Sequence, residues 1–103
     1  MYYVYLLESL IDKTWYIGFT PDNPQNRLSK HNAGLVYYTK RKMPWKLIYF
    51  EAYLLESDAT SREKFLKSGS GHMYIKHQLK NYLIIGLPRD EWNEFYAALS
   101  SSG

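Results

Sequence analysis

Thr14-Trp15-Tyr16-Ile17-Gly18-Phe19-Thr20 is a strand ended by Pro21, with β-branched and aromatic residues at nearly every position. Side chains alternate along a strand, so Trp15, Ile17 and Phe19 form one face, a packing face. Tyr16, Gly18 and Thr20 form the other, and that face is light. A glycine inside a strand marks close approach by a ligand or another backbone, or a place under a crossing helix. Tyr16 presents a phenol to whatever fills the gap.

Before this stretch, Tyr2-Tyr3-Val4-Tyr5-Leu6-Leu7 is apolar on both faces, as a central strand is. The connection from Glu8 to Lys13 is short, so the two strands are expected to form an antiparallel hairpin. That pairing sets Tyr3 or Tyr5 across from Tyr16 or its neighbours, with two phenols on one sheet face. After the stretch, Asn23 and Pro24 are a helix cap and a first-turn residue. The helix is expected to run to about Ala33 and stop at Gly34. Arg27 and His31, four residues apart, share one side of it. They suit either a solvated face or the Tyr16 face of the sheet.

Gly34 to Pro44 reads as a loop in which Tyr37, Tyr38, Lys40, Arg41 and Lys42 mix aromatic and basic character. Such a mixture suits a phosphate backbone with base stacking, or simply a solvated basic loop. Trp45 to Tyr53 is a third strand, apolar on both faces apart from Lys46 and Glu51. Ser57 is the expected cap of a second helix that runs to about Lys67 and stops at Gly69-Ser70-Gly71. Ala59 and Leu66 bracket Glu63 at spacings of four and three and place it on their face. A carboxylate on an inward stripe needs an ion-pair partner such as Arg27, or a metal; the stripe could also run through Phe65 instead. Gly71 to Leu83 reads as a third helix. Arg89 to Leu99 reads as a short amphipathic one with Trp92, Phe95, Tyr96 and Leu99 on its apolar side, before a frayed Ser100–Gly103 tail.

With 103 residues, the chain is long enough for one core. It has no cysteine, which removes zinc-finger, thiol-nucleophile and disulfide readings. No basic leader followed by an apolar run is visible, so the expectation is a cytoplasmic protein with no membrane contact. The net charge of +3 conceals an asymmetry: residues 1–83 carry +5 and residues 84–103 carry −2. A moderately basic body suits a polyanionic partner.

Together these segments resemble the GIY-YIG nuclease superfamily, in particular its small stand-alone bacterial members. The resemblance runs from Tyr2 to about Leu83. It rests on Tyr3-Val4-Tyr5, Tyr16-Ile17-Gly18, the run Asn26-Arg27-Leu28-Ser29-Lys30-His31-Asn32, Tyr38-Thr39 with Arg41, then Pro44 and Glu51, and finally Arg62 to Gly69 with Glu63. Tyr3 stands where the family name has its first glycine. The asparagine that many members carry after the glutamate helix has no clear place; Asn81 is the one candidate and comes late, with Lys67 or Ser68 as alternatives.

The resemblance implies an α+β fold, a three-stranded antiparallel sheet flanked by helices in the order β-β-α-β-α-α. Residues 1–83 are the expected nuclease domain; residues 84–103 have no counterpart in the family and are expected to form a C-terminal helical extension packed on the same domain. It implies a metal-dependent DNA endonuclease acting on branched, nicked or damaged DNA in a repair setting. The alternatives are a nucleic-acid-binding module with little activity, or a nuclease subunit served by a protein partner through the C-terminal helix. Mg2+ (or Mn2+) is the implied cofactor, held by Glu63. Arg27 is implied to bind the scissile phosphate, Tyr5 and Tyr16 to face the attacking water, and His31 to assist by hydrogen bonding. Tyr38, Lys40, Arg41, Lys42 and Lys67 are the expected nucleic-acid contacts. A phenol with a pKa of about 10 is a poor base at neutral pH, so Arg27 and the metal are expected to lower it.

Overall fold

A computed structural model describes residues 1–101, except the side chains of residues 96 and 99–101. It divides into two compact units, Met1–Lys64 and Phe65–Gly103. The first unit holds the sheet: β1 (Tyr2–Ser9), β2 (Trp15–Thr20) and β3 (Trp45–Tyr53), all antiparallel, in the order β2-β1-β3. β1 is the central strand, as its two apolar faces require, and Val4 to Ser9 are buried throughout. Its pairing with β2 sets Tyr3 opposite Thr20, Tyr5 opposite Gly18 and Leu7 opposite Tyr16. Its pairing with β3 sets Tyr5 opposite Phe50 and Leu6 opposite Tyr49, with an irregularity between Leu6 and Leu7. One sheet face therefore carries Tyr3, Tyr5, Leu7, Tyr16, Gly18 and Phe50. The other carries Val4, Leu6, Ile17, Tyr49, Glu51 and Tyr53.

Helix α1 (Pro24–Asn32) starts and stops where the sequence says. The Asn23 side chain accepts the Gln25 N–H, Pro24 occupies the first turn, and Gly34 follows at φ 76°. This left-handed conformation is one that glycine adopts without steric cost. Tyr5, Leu7 and Trp45 form a core cluster with Tyr16, Leu28, Met43 and Leu47 packed against it. Fully burying side chains of this size contributes about 1.5–3 kcal/mol each.

The loop after α1 contains a short 3-10 turn at Lys40–Lys42. Helix α2 (Glu56–Lys67) begins one residue before Ser57, so Ser57 lies inside the first turn and is not its cap. The next break falls at Ser68, not across Gly69–Gly71. The Ser68 hydroxyl accepts the Gly71 N–H and caps α3 (Gly69–Gln78), so a polar cap outweighs two glycines. The single helix expected from Gly71 to Leu83 is two helices, α3 and α4 (Lys80–Ile85), separated at Leu79. A 3-10 turn at Arg89–Glu91 leads into α5 (Trp92–Ser101). Ser100 and Ser101 continue that helix. Ser102 and Gly103, and the Tyr96 and Leu99 side chains assigned to its apolar face, lie outside the described residues. No described helix is long and apolar enough to cross a membrane.

Candidate active site

The gap at Gly18 is filled from the neighbouring strand, not by a helix or another backbone. A Cβ placed on Gly18 would overlap the outer ring atoms and hydroxyl of Tyr5, so the glycine is a seat for that phenol. Tyr16 lies diagonally across, with ring centroids 6.3 Å apart. Helix α1 lies on this same face and sets His31 edge-on to both rings, at 5.8 Å from Tyr5 and 5.1 Å from Tyr16. Asn32 fixes the end of the helix. Its side-chain amide donates to the Trp45 carbonyl (2.9 Å) and its side-chain oxygen accepts the Trp45 N–H (2.7 Å).

A chain of hydrogen bonds runs through His31, which is fully buried. Its Nδ1 is 2.7 Å from Thr39 Oγ1, and its Nε2 is 2.8 Å from the Tyr5 hydroxyl. The Thr39 hydroxyl donates to the Val36 carbonyl (3.3 Å) and so offers Nδ1 a lone pair. His31 Nδ1–H then donates to Thr39, which leaves Nε2 to accept the Tyr5 O–H. The Tyr5 oxygen in turn accepts the Arg27 Nε–H at 3.4 Å. This tautomer gives each group a partner of the right sense. Thr39 itself is held by the Trp45 indole N–H, which donates to the Thr39 carbonyl at 2.9 Å.

Burial pushes the Tyr5 phenol up to about 12. The hydrogen bond from Arg27 acts in the opposite sense, and Tyr16 and Glu63 add to the rise. The sequence reading expected a lowered phenol. Arg27 does act in that direction, but desolvation outweighs it. His31 is pulled down to about 4, mainly by burial and then by the Arg27 charge, so it is neutral at pH 7.

Arg27 is half-buried and forms no ion pair among the described residues. Of the alternatives open for Glu63, an ion pair with Arg27 is therefore not made. Instead, Arg62, the neighbour of Glu63 on α2, forks onto Glu51 of β3 with bonds of 2.9 and 3.0 Å. Tyr49 and Tyr53 each donate to the same carboxylate at 2.5 Å. Glu63 is half-buried, and its charge reaches the Tyr5 phenol. Among the described residues no group of three or more His, Asp or Glu side chains could hold a metal. One carboxylate ligand does not make a closed zinc-type centre. It does fit a hard divalent cation that keeps several waters and takes further oxygens from a substrate phosphate.

The structure brings Tyr5, Tyr16, Arg27 and His31 together and places Glu63 within electrostatic reach. Four of the expected nucleic-acid contacts lie on the loop after α1. Tyr38 is 86% exposed, Lys40 lies 5.2 Å over the Tyr37 ring, and Arg41 is exposed. Lys42 is engaged with Asp12 of the β1–β2 turn at 3.0 Å. Thr14 hydrogen bonds, and then Lys42, hold the Asp12 carboxyl well below the usual range. Lys67, exposed, belongs to the second unit. Thr39 and Asn32 lie in segments that carry the resemblance, yet the sequence alone assigns them no part. Their parts follow from tertiary contacts that no local pattern announces.

The GIY-YIG catalytic domain model matches residues 1–76. The chain is also 41% identical over 66 residues to a UPF0213 protein of Streptococcus pyogenes serotype M3, covering 63% of this chain and 70% of that relative. A UPF0213 protein of Streptococcus pneumoniae serotype 4 is likewise 41% identical over 66 residues, covering 63% and 65%. One from Haloquadratum walsbyi is 40% identical over 68 residues, covering 65% and 74%. No solved structure matches. GIY-YIG nucleases act on DNA and are generally dependent on a divalent metal. With the family model covering β1 to α3 and the tyrosine pair, Arg27, His31 and Glu63 all inside it, the chain belongs to the GIY-YIG catalytic domain family, a family of endonucleases.

Proposed function

We propose that this chain is a divalent-metal-dependent DNA endonuclease whose reacting groups are Tyr5, Tyr16, Arg27, His31 and Glu63, with residues 1–83 as the nuclease domain. One observation carries the reading: Arg27, half-buried and without an ion-pair partner among the described residues, donates to a phenol that is itself bonded to a neutral histidine. An unneutralised guanidinium in that setting is prepared for an anion, and the scissile phosphate is the anion that the family presents.

Arg27 binds and neutralises the phosphate. The Tyr5 O–H is directed to His31, so a remaining lone pair of the phenol oxygen accepts a hydrogen bond from the attacking water. Tyr16 flanks that water from the neighbouring strand. As the water oxygen bonds to phosphorus and the bond from phosphorus to the leaving sugar oxygen breaks, the water proton passes to Tyr5 and the phenol proton to His31 Nε2; Thr39 holds Nδ1–H of the resulting imidazolium, and the leaving oxygen takes its proton from solvent. Glu63 holds the cation, magnesium or manganese. When bound, it supplies charge stabilisation of the phosphate and lowers the pKa of groups beside it.

A second reading is favoured by the burial-raised Tyr5. It is a nuclease that stays inert until a substrate or a protein partner, docking through residues 84–103, completes the site.

The test is a cleavage assay on single-stranded, duplex, nicked, flapped and branched DNA. It compares wild type with Glu63→Ala, in magnesium, in manganese and in chelator. Metal-dependent cutting that Glu63→Ala loses is the expected result. Binding without cutting on every substrate would move the assignment to a binding module or a partner-dependent subunit. Cutting that survives in Glu63→Ala would remove Glu63 from the site.

A further inference from the structure

Tyr37 and Tyr38 are the most exposed aromatic residues of the first unit, at 73% and 86%. Their rings stand nearly perpendicular, 86° apart, with centroids separated by 5.5 Å. Lys40 sits over one face of Tyr37. An exposed aromatic side chain loses hydrophobic stabilisation, so two in succession need a reason.

The residue that follows them is buried. Thr39 is 1% exposed, its hydroxyl touches His31, and its carbonyl accepts the Trp45 indole. The Thr39 N–H donates to Val36, and the Lys42 N–H donates back to Thr39. The base of the loop is thus fixed to the candidate site while its two phenols project outward. Successive Cα atoms are about 3.8 Å apart, so Tyr38 starts within one residue of a side chain that contacts His31.

We infer that the Tyr37–Tyr38 pair is a stacking platform for unpaired nucleobases beside the site, and that the substrate presents a single-stranded segment there. This rests on the reading of the chain as acting on DNA, and it adds which form of DNA. Stacking on a protruding ring needs a base whose π-face is open. In an intact duplex those faces are covered by neighbouring base pairs. The perpendicular rings offer two planes, which suits successive bases of a flexible strand better than the parallel stack of a helix. Lys40, over one side of the Tyr37 ring, and the exposed Arg41 supply the positive charge that follows a phosphate backbone.

The experiment measures binding in chelator, where cleavage does not intervene. The probes are a single-stranded oligodeoxynucleotide carrying 2-aminopurine and the same sequence as a duplex, each titrated by anisotropy and fluorescence at several salt concentrations. Tyr38→Ala is expected to weaken single-strand binding about tenfold and to abolish 2-aminopurine quenching, with Tyr37→Ala acting in the same direction. Tyr38→Phe, which keeps the ring, is expected to stay within about twofold of wild type. Duplex binding and the salt slope should change little in all three. The inference is overturned if Tyr38→Phe loses as much as Tyr38→Ala. It is also overturned if duplex and single strand weaken in proportion, or if Tyr38→Ala binds single strands like wild type. Failure of the cleavage assay above would remove the nuclease and leave this binding pattern to be judged separately.

Discussion

Two tyrosine clusters sit on opposite faces of one sheet, and they differ in how completely their charges are matched. On one face, Tyr49 and Tyr53 donate to Glu51 while Arg62 forks onto the same carboxylate. Burial alone would raise Glu51, but these bonds outweigh it and leave the carboxyl lowered. Every strong donor faces the one acceptor that needs it. On the other face, Tyr5 and Tyr16 meet a neutral His31 and an arginine with no ion-pair partner among the described residues. The same residue types, arranged with a carboxylate, make a closed structural pair. On the Tyr5 face the phenol is bonded to His31 and Arg27, and Glu63 reaches it by charge, but Arg27 is left without an ion pair among the described residues. Matching of charge separates the two roles more clearly than residue type does.

The contrast can be broken first at Arg27. Arg27→Ala is expected to lower kcat about 10³-fold, the scale of removing one oriented donor from a charge-stabilising site, with a change of about 0.5 kcal/mol or less in urea stability. An active Arg27→Ala would mean the unmatched charge is not used. On the closed face the signs reverse. Glu51→Ala strands Arg62 and two phenols and is expected to cost about 3 kcal/mol in urea unfolding, while the folded fraction keeps its cleavage rate. A stability change under about 1 kcal/mol would make the network ornamental.

Protonation sharpens the comparison. The folded His31 pKa of about 4 lies below its ordinary 6.5, so the unfolded chain binds the proton first as pH falls. The histidine's contribution is therefore complete above about pH 6.5 and is lost between 6.5 and 4. A loss of about 3 kcal/mol is expected across that window by pH-dependent unfolding, and His31→Asn should flatten it. Glu51, with its pKa lowered, acts at more acid pH: its contribution is present above about 4.5 and falls below that. The smallest effect is expected at Thr39. Thr39→Val leaves His31 Nδ1–H without its acceptor and should cost about 1 kcal/mol. Nitrogen NMR of the imidazole should show Nε2 as the unprotonated nitrogen in wild type and a mixture of tautomers in the variant. Nδ1 unprotonated in wild type would reverse the hydrogen-bond chain.

Much of this arrangement is written locally. The central position of β1 follows from its two apolar faces, and α1 follows from Asn23, Pro24 and Gly34. Arg27 and His31 are bound to share a side by their spacing of four. What the spacing leaves open is which side, because that depends on where α1 crosses the sheet, and the Asn32–Trp45 bonds that decide it join residues 13 apart in sequence. Gly18 was legible as a gap but not its filling, since the occupant is set by strand register. The shared face of Tyr49, Glu51 and Tyr53 was readable from their alternation; Arg62 as their partner was not. The split at Leu79 escaped because Ile75, Leu79 and Tyr82 keep helical spacing through a backbone break. The raised Tyr5 pKa is a property of burial depth, which strand pattern alone underestimates for a tyrosine that is 1% exposed.

The most direct test removes one hydroxyl from each cluster. Tyr5→Phe and Tyr53→Phe are compared for metal-dependent DNA cleavage and for urea stability in the same buffer. Tyr5→Phe should lose at least about a hundredfold in rate and keep its stability within about 1 kcal/mol. Tyr53→Phe should lose about 1 kcal/mol of stability and keep its rate. Full activity in Tyr5→Phe, or loss of activity without destabilisation in Tyr53→Phe, would contradict the assignment of chemistry to one face and structure to the other.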